Sequence, residues 1–253
     1  MLSIRGVSRH FGGVYAVRDV TIDVADGELR GIIGPNGAGK STLFNLISGH
    51  LLADQGTITF HGGRIDRLAP HRRTERGISI VFQAARIFRG MTVRENVMVG
   101  AHTRTGAGFL SAALRLPAHR RDEGRIRVLA DEALEQTGLT AWADRPAESL
   151  PLGRQRSMQL ARALCAEPAL LLLDEPASGL RAAERTELAA LIGRLRETGL
   201  TIMLIEHDVA LVTRLADRIT VFDLGQVIAD GTPEEIREDP RVVAAYLGEE
   251  VAR

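Results

Sequence analysis

The chain has 253 residues, of which 45% are hydrophobic and 25% charged, and its 32 Lys plus Arg are matched by 32 Asp plus Glu for a formal net charge of zero. That is an ordinary globular balance with enough chain to bury a full core, and it excludes the basic excess of a general nucleic-acid-binding surface. Cys165 is the one cysteine, so an internal disulfide is excluded and a reducing cytoplasm is expected.

In chain order, Met1 to Gly6 runs straight into alternating apolar and polar positions, without the apolar core of a secretory signal. No stretch reaches the roughly 18 apolar residues of a spanning helix, so membrane association is expected through a partner or the surface. Residues 1–30 read as short strands, with strand character over 14–24 between the turn signals Gly12-Gly13 and Asp26-Gly27. Residues 29–33 follow as a short buried strand, 34–39 as a glycine-rich turn and 41–48 as a helix; 57–60 and 78–82 read as further strands.

From about 90 to 166 the pattern predicts several helices and little strand. Arg115, Arg120, Arg121, Arg125 and Arg127 lie here, interspersed with Asp122, Glu123, Asp131 and Glu132, the pattern of a solvated helix face rather than a binding patch. Strand and helix then alternate: strands at 170–173, 201–205 and 219–222, helices at 182–196 and 209–215. Short buried strands between helices predict a largely parallel sheet covered on both faces. The tail, 233–248, reads as two short helices split by Asp239-Pro240, and no internal repeat is found.

Two motifs carry chemistry. Gly34-Pro35-Asn36-Gly37-Ala38-Gly39-Lys40-Ser41-Thr42 fits G-x-x-x-x-G-K-[ST] between a strand and a helix. Glycines there let successive backbone N–H groups wrap a polyphosphate, and the following helix aims its positive end at the same anion. Lys40 is expected on the β- and γ-phosphates and the Ser41 hydroxyl on Mg²⁺. Downstream, Asp174-Glu175 ends an apolar strand, at the edge where open α/β sheets bind ligands. Side-chain alternation is expected to send the two carboxylates to different faces, one toward Mg²⁺ through its water shell and one toward the attacking water as general base. A strand-ending Asp-Glu pair taken alone fits an ordinary turn equally well; the upstream loop decides for the nucleotide.

With these motifs the chain resembles the ATP-binding-cassette family over nearly its whole length. Phe11 stands where the family stacks an aromatic on adenine, and Gln83 matches the glutamine loop that senses the γ-phosphate and Mg²⁺. Leu150-Pro151-Leu152-Gly153-Arg154-Gln155-Arg156 occupies the place of the family signature, Ser178-Gly179-Leu180 resembles the D-loop, and His207 resembles the switch histidine. Taken singly, Phe11 would be core, Gln83 a surface residue and His207 a capping residue; their order around the two motifs reverses that. The resemblance implies an α/β fold of the P-loop NTPase kind: a RecA-like parallel-sheet core, an N-terminal antiparallel β subdomain and an inserted helical subdomain. The whole of 1–253 would form one ATPase domain, with 1–89 and 167–253 as core and 90–166 as the helical signature part. ATP and Mg²⁺ are the implied cofactors. Glu175, His207 and Lys40 would be catalytic. Phe11, Gly34, Asn36, Gly37, Ala38, Gly39, Lys40, Ser41, Thr42, Gln83, Leu150 and Gly153 would bind nucleotide, and Ser41, Gln83 and Asp174 the metal.

Within the family, residues 86–97, the insertion around Phe109-Leu110, and the stretches 230–236 and 245–249 resemble the larger ATPase subunit of branched-chain amino acid importers. The implied partners are permease subunits, a second ATPase subunit and, indirectly, a periplasmic or lipid-anchored binding protein, with no nucleic acid. The implied location is the cytoplasmic face of the inner or plasma membrane. Two departures stand out: Pro151 replaces the signature serine and Arg181 the usual small or acidic D-loop residue. Lipid or lipopolysaccharide extraction is the rival within the fold. A chromosome-organising ATPase would carry a long heptad insertion, which is absent, and a phosphotransferase would lack the signature region and His207.

Overall fold

The computed structural model describes residues 1–84, 86–104 and 117–251, with side chains outside 102–122 and 246–251. The Phe109-Leu110 insertion and the side chains of Arg115, Arg120, Arg121, Asp122 and Tyr246 to Glu249, read above from sequence, lie outside these described parts.

The second strand runs over 14–24, as its turn signals predict. β1 (Leu2–Phe11) and β2 (Val14–Val24) pair as a hairpin of 10 and 11 residues. Gly12 and Gly13 do turn the chain, but Gly6 and Asp19, also at positive φ, sit inside the strands beside shifts in pairing register. Turn-forming residues are thus absorbed as bulges that bend a continuous ladder. β4 (Gln55–Phe60) and β5 (Gly63–Arg64) complete an antiparallel sheet of order β2-β1-β4-β5.

The second sheet contains β3 (Leu29–Ile33), β6 (Ile78–Val81), β7 (Leu170–Asp174), β8 (Thr201–Ile205), β9 (Arg218–Asp223) and β10 (Gln226–Gly231), in the order β10-β9-β3-β8-β7-β6. The five strands from β9 to β6 are parallel, whereas β10, which the sequence pattern does not announce, folds back antiparallel on β9. Every residue of β3, β7 and β8 is buried, as strands covered on both faces must be.

The period of two assigns each apolar side chain to a layer. Leu171, Leu173, Ile202 and Leu204 pack with α6 (Ala182–Glu197) and α7 (Val209–Leu215). Leu170, Leu172, Met203 and Ile205 pack with α1 (Lys40–Ser48) and the inner face of the antiparallel sheet. α2 (Pro70–Glu75) precedes β6, and between β6 and β7 the described elements are helical: α3 (Val93–Met98), α4 (Pro117–Gln136) and α5 (Leu152–Leu164), with short 3₁₀ turns. They enclose an apolar cluster of their own, including Val93, Val97, Leu134 and Met158. Asp239, extended ahead of Pro240 as a pre-proline residue must be, divides α8 (Pro233–Glu238) from α9 (Pro240–Val251). Among the described residues no helix is long and apolar enough to cross a membrane.

Candidate functional site

The topology brings every sequence-predicted motif of the core to one sheet edge. β3 lies between β9 and β8, with β7 and then β6 beyond β8, and all five run the same way. The turn 34–39 follows β3, Asp174 ends β7, Glu206-His207 follow β8 and Gln83 follows β6. Asp174 is level with Ile205, and Val81 with Leu173. Four carboxyl ends, far apart in sequence, therefore face one crevice.

The turn after β3 is built for backbone exposure. Gly34, at φ 146, has its Cα against the next strand: a Cβ there would meet the Phe222 carbonyl oxygen at 2.1 Å. Gly39, at φ 100, would meet the Ala16 carbonyl oxygen at the same distance. No other residue fits either place without moving the chain. Gly37 faces open space, and Asn36 and Gly37 are exposed while Ala38 is buried. The helix α1 opens at Lys40, with Gly39 at its N-cap and no side-chain cap, so its first N–H groups remain available to an anion. Lys40 is buried, and its Nζ donates to the carbonyl oxygens of Gly34 at 2.6 Å and Pro35 at 2.8 Å. The ammonium lies folded across the loop it would serve.

Ser41 Oγ donates to Asp174 Oδ1 at 3.1 Å, and Gln83 Nε2 to Glu175 Oε2 at 2.7 Å. Burial pushes the Asp174 carboxyl above the ordinary range and the adjacent Glu175 adds to this, against the Ser41 hydroxyl and Lys40. The two carboxylates diverge for a reason other than strand alternation. β7 ends at Asp174, and Glu175 takes a left-handed φ of 47 while its N–H still donates to the Ile205 carbonyl. This conformation costs a non-glycine residue about 1–3 kcal/mol, and it sends the Glu175 side chain to Gln83.

His207 is exposed, its Nδ1 3.6 Å from Oε2 of Glu206. Glu206 is completely buried; its Oε1 accepts the Ala177 N–H at 2.8 Å, and Oε2 has no hydrogen-bond partner. Asp208, rather than His207, caps α7 by accepting the Leu211 N–H.

The helical part meets this edge through α5, by contacts the sequence reading missed. Arg156 donates to the carbonyl oxygens of Gln83 and Ser178, the latter at 3.2 Å, and to Gln159 Oε1 at 3.2 Å. Gln159 in turn donates to the Ala84 carbonyl, and Arg162 to those of Arg86 and Asn96. Burial lowers the proton affinity of both guanidiniums. The available signal was spacing: 156, 159 and 162 fall on one face of a helix.

Phe11 ends β1 half-exposed, with the Arg9 guanidinium 4.9 Å from its ring centre. The signature residues are not brought to the loop of their own chain by the hydrogen bonds they make. Leu150 and Pro151 carbonyls accept from Gln155, and the Gly153 carbonyl from Ser157. Pro151 and Gly153 line a cavity of about 460 Å³ with Glu184 and Leu188 of α6. Pro151 stands at the N-cap of α5, at ψ 156, one residue before the first helical turn that its ring would suit. Arg181 likewise stands at the N-cap of α6, its N–H donating to Glu184 Oε2.

The residues present fit a magnesium–nucleotide better than a resident metal. Among the described residues no three His, Cys, Asp or Glu side chains form a cage. One hydroxyl beside one carboxylate suits Mg²⁺ that arrives largely hydrated on phosphates.

Comparison with known proteins shows the family and the fold. The family model for ABC transporters matches residues 17–178, more than half of the chain, and that for branched-chain amino acid ATP-binding cassette transporters matches 226–252. The high-affinity branched-chain amino acid transport ATP-binding protein BraF of Pseudomonas aeruginosa is 41% identical over 98% of both chains. LivG of Salmonella typhimurium, with the same description, is 42% identical over 98% of both. A solved ADP conformation of an ATP-binding cassette of an ABC transporter superposes with a TM-score of 0.85 at 31% identity, covering 98% of both chains.

Proposed function

The chain belongs to the ATP-binding-cassette transporter ATPases, and from that premise we propose that it powers an importer for branched-chain or related amino acids. The observation that carries the ATPase chemistry is the convergence of Lys40, Ser41, Asp174, Glu175 and Gln83 at one sheet edge. The relatives named above favour the amino acid importer over lipopolysaccharide extraction, since the export protein LptB of Haemophilus influenzae is 34% identical.

On ATP binding, Lys40 exchanges the Gly34 and Pro35 carbonyls for β- and γ-phosphate oxygens, while Gly34, Asn36, Gly37, Ala38, Gly39 and Thr42 frame the loop. Phe11 stacks on adenine. Ser41 would hold Mg²⁺ directly, with Asp174 and Gln83 reaching it through water; the ion would neutralise charge on the leaving phosphates. Glu175, held by Gln83, takes a proton from the water that attacks the γ-phosphorus, and His207 faces the γ-phosphate. Leu150 and Gly153 bind the nucleotide of a second subunit, because their own chain keeps Gly153 against Glu184 of α6 and Leu150 in the apolar cluster of the helical part. Residues 1–253 act as one ATPase domain, with 90–166 moving as the signature part.

The permease would engage the groove of about 260 Å³ beside Gln83, lined by Phe82, Ala84, Arg86, Gln159 and Arg162, on the cytoplasmic face of the membrane. A periplasmic or lipid-anchored binding protein would deliver the solute. The test is ATP hydrolysis by the chain assembled with its permease pair and binding protein in vesicles. Leucine, isoleucine or valine should stimulate turnover several-fold. Stimulation by none of them would overturn the amino acid assignment, and absent hydrolysis the ATPase reading.

A further inference from the structure

Glu206 is the most deeply buried carboxylate near the crevice, and neither motif accounts for it. It follows β8, is 0% exposed, and stands between two segments expected to respond to nucleotide. One oxygen accepts the Ala177 N–H, two residues beyond Glu175. The other oxygen has no hydrogen-bond partner and lies 3.6 Å from Nδ1 of His207. A buried carboxylate oxygen without a donor is costly; the His207 backbone N–H also faces this carboxylate, and the side chain placed to supply a donor to the free oxygen is the exposed imidazole. A small rotation of His207 closes the gap to hydrogen-bonding distance.

We propose that Glu206 is a positioning residue that holds the proton of His207 on Nδ1, leaving Nε2 to face the nucleotide, and ties that histidine to the turn carrying Glu175. The proposal deepens the function above and rests on its use of His207. Imidazole presents two different nitrogens, and which one carries the proton is set by the partner of the other. A carboxylate has only acceptors, so it can pair with Nδ1 only when Nδ1 is protonated. The same side chain accepts from Ala177, so a shift of the imidazole toward a phosphate pulls on the backbone between Glu175 and Ser178. The remaining charges that face Glu206 are Glu175 from the end of β7 and Arg156 from α5. Arg156 bonds the Ser178 carbonyl and the Gln83 carbonyl, so the pair sits where the histidine, the Glu175 turn and the helical part meet.

The isosteric variant Glu206→Gln tests this by one atom. The Ala177 N–H needs an oxygen, which fixes the amide with its NH₂ in the Oε2 position. That NH₂ donates, so Nδ1 must accept, and the proton must move to Nε2. Nitrogen-15 spectra of the His207 ring in the full nucleotide-free chain should therefore show Nδ1 protonated in the wild type and unprotonated in Glu206→Gln. The variant should fold with an unreduced melting temperature, because a buried charge is replaced by a neutral group of the same shape. Its kcat should fall about 10–100-fold with KM changed less than about twofold, the range expected when the group orienting a functional histidine is lost. In a His207→Ala background the same substitution should change kcat less than about twofold. An unchanged Nδ1 signal, or losses that multiply in the double variant, would overturn the positioning role. Full hydrolysis by His207→Ala alone, with the proton still moving in Glu206→Gln, would instead overturn the use of His207 on which the proposal stands.

Discussion

The sheet edge and the joint to the helical part are held together by opposite means. At the edge, β3, β7 and β8 are buried in every residue and joined by parallel ladders, so the loop after β3 and the carboxylate after β7 are set by backbone. At the joint, Arg156, Gln159 and Arg162 reach from α5 to carbonyl oxygens of the chain leaving β6, and no carboxylate neutralises either guanidinium by direct contact among the described residues. A sheet edge of this kind is rigid, and it holds reacting groups in place. The joint also has an apolar side, since Leu160 and Ala163 of α5 pack in the core cluster while the rest of the helical part keeps its own; the long side chains on carbonyls are the part of it that can exchange partners. On the proposed function, the reacting groups stand on the sheet edge and movement is expected at the polar contacts of the seam.

The contrast can be broken most severely at the edge. Glu175→Gln should lower ATP hydrolysis about 10²–10⁴-fold, the usual contribution of a general base, while ATP still binds. Lys40→Ala should weaken binding itself, by about tenfold to a hundredfold, since it removes a charged donor worth about 1.5–3 kcal/mol. Phosphate release and nucleotide titration separate the two; wild-type hydrolysis by Glu175→Gln would refute its role as base.

At the seam the effect should be on stability as much as on rate. Arg156→Met strands the carbonyls of Gln83 and Ser178 and should cost about 2–4 kcal/mol in chemical denaturation. Arg156→Lys should restore little of it, because one ammonium cannot span the acceptors that the fork of a planar guanidinium reaches. Restoration by Lys would mean that charge alone, not the fork, makes the joint.

Pro151→Ser should act more mildly. Serine at the N-cap can accept the Arg154 N–H, where proline offers no side-chain acceptor, and such caps contribute about 0.5–2 kcal/mol. It also restores a hydroxyl toward a partner's γ-phosphate, so ATP-driven dimerisation, read by light scattering with Glu175→Gln, should strengthen by about tenfold or less. A clear loss of turnover in the assembled transporter would show the proline to be a structural adaptation instead.

The smallest expected change sharpens the edge. The Asp174 carboxyl is raised above its ordinary value, chiefly by burial, so its ionisation in the folded chain opposes folding. That penalty is absent in acid and sets in as pH rises from the unfolded value near 3.8. Asp174→Asn should therefore raise the melting temperature at pH 7 in the absence of nucleotide, with the gap closing as pH falls toward 4, even as Mg²⁺-dependent hydrolysis is lost. A gap that widens in acid would reverse the sign of the argument.

Much of this was already written in the sequence, and for a physical reason. Short, wholly apolar strands such as 170–173 and 201–205 have few places to go other than the middle of a covered parallel sheet. The glycines of 34–39 announce a backbone that must take conformations closed to other residues, as Gly34 and Gly39 do. Local patterns thus determined the layer order of the core and the identity of Lys40, Ser41 and Asp174. Where the sequence reading fell short, the deciding partner was distant. The hairpin β1–β2 carries bulges beside Gly6 and Asp19 that only its pairing register reveals. β10 exists because β9 offers an edge. Glu175 leaves its strand by a left-handed turn rather than by alternation, its N–H donating to the Ile205 carbonyl 30 residues away in β8. Pro151 lies at the cap rather than within the helix because the first intrahelical bond forms on its carbonyl. Arg156 and Glu206 show no motif at all: each is one polar residue whose meaning lies in which carbonyls, amide or imidazole the folded chain sets beside it, and only tertiary structure supplies those neighbours.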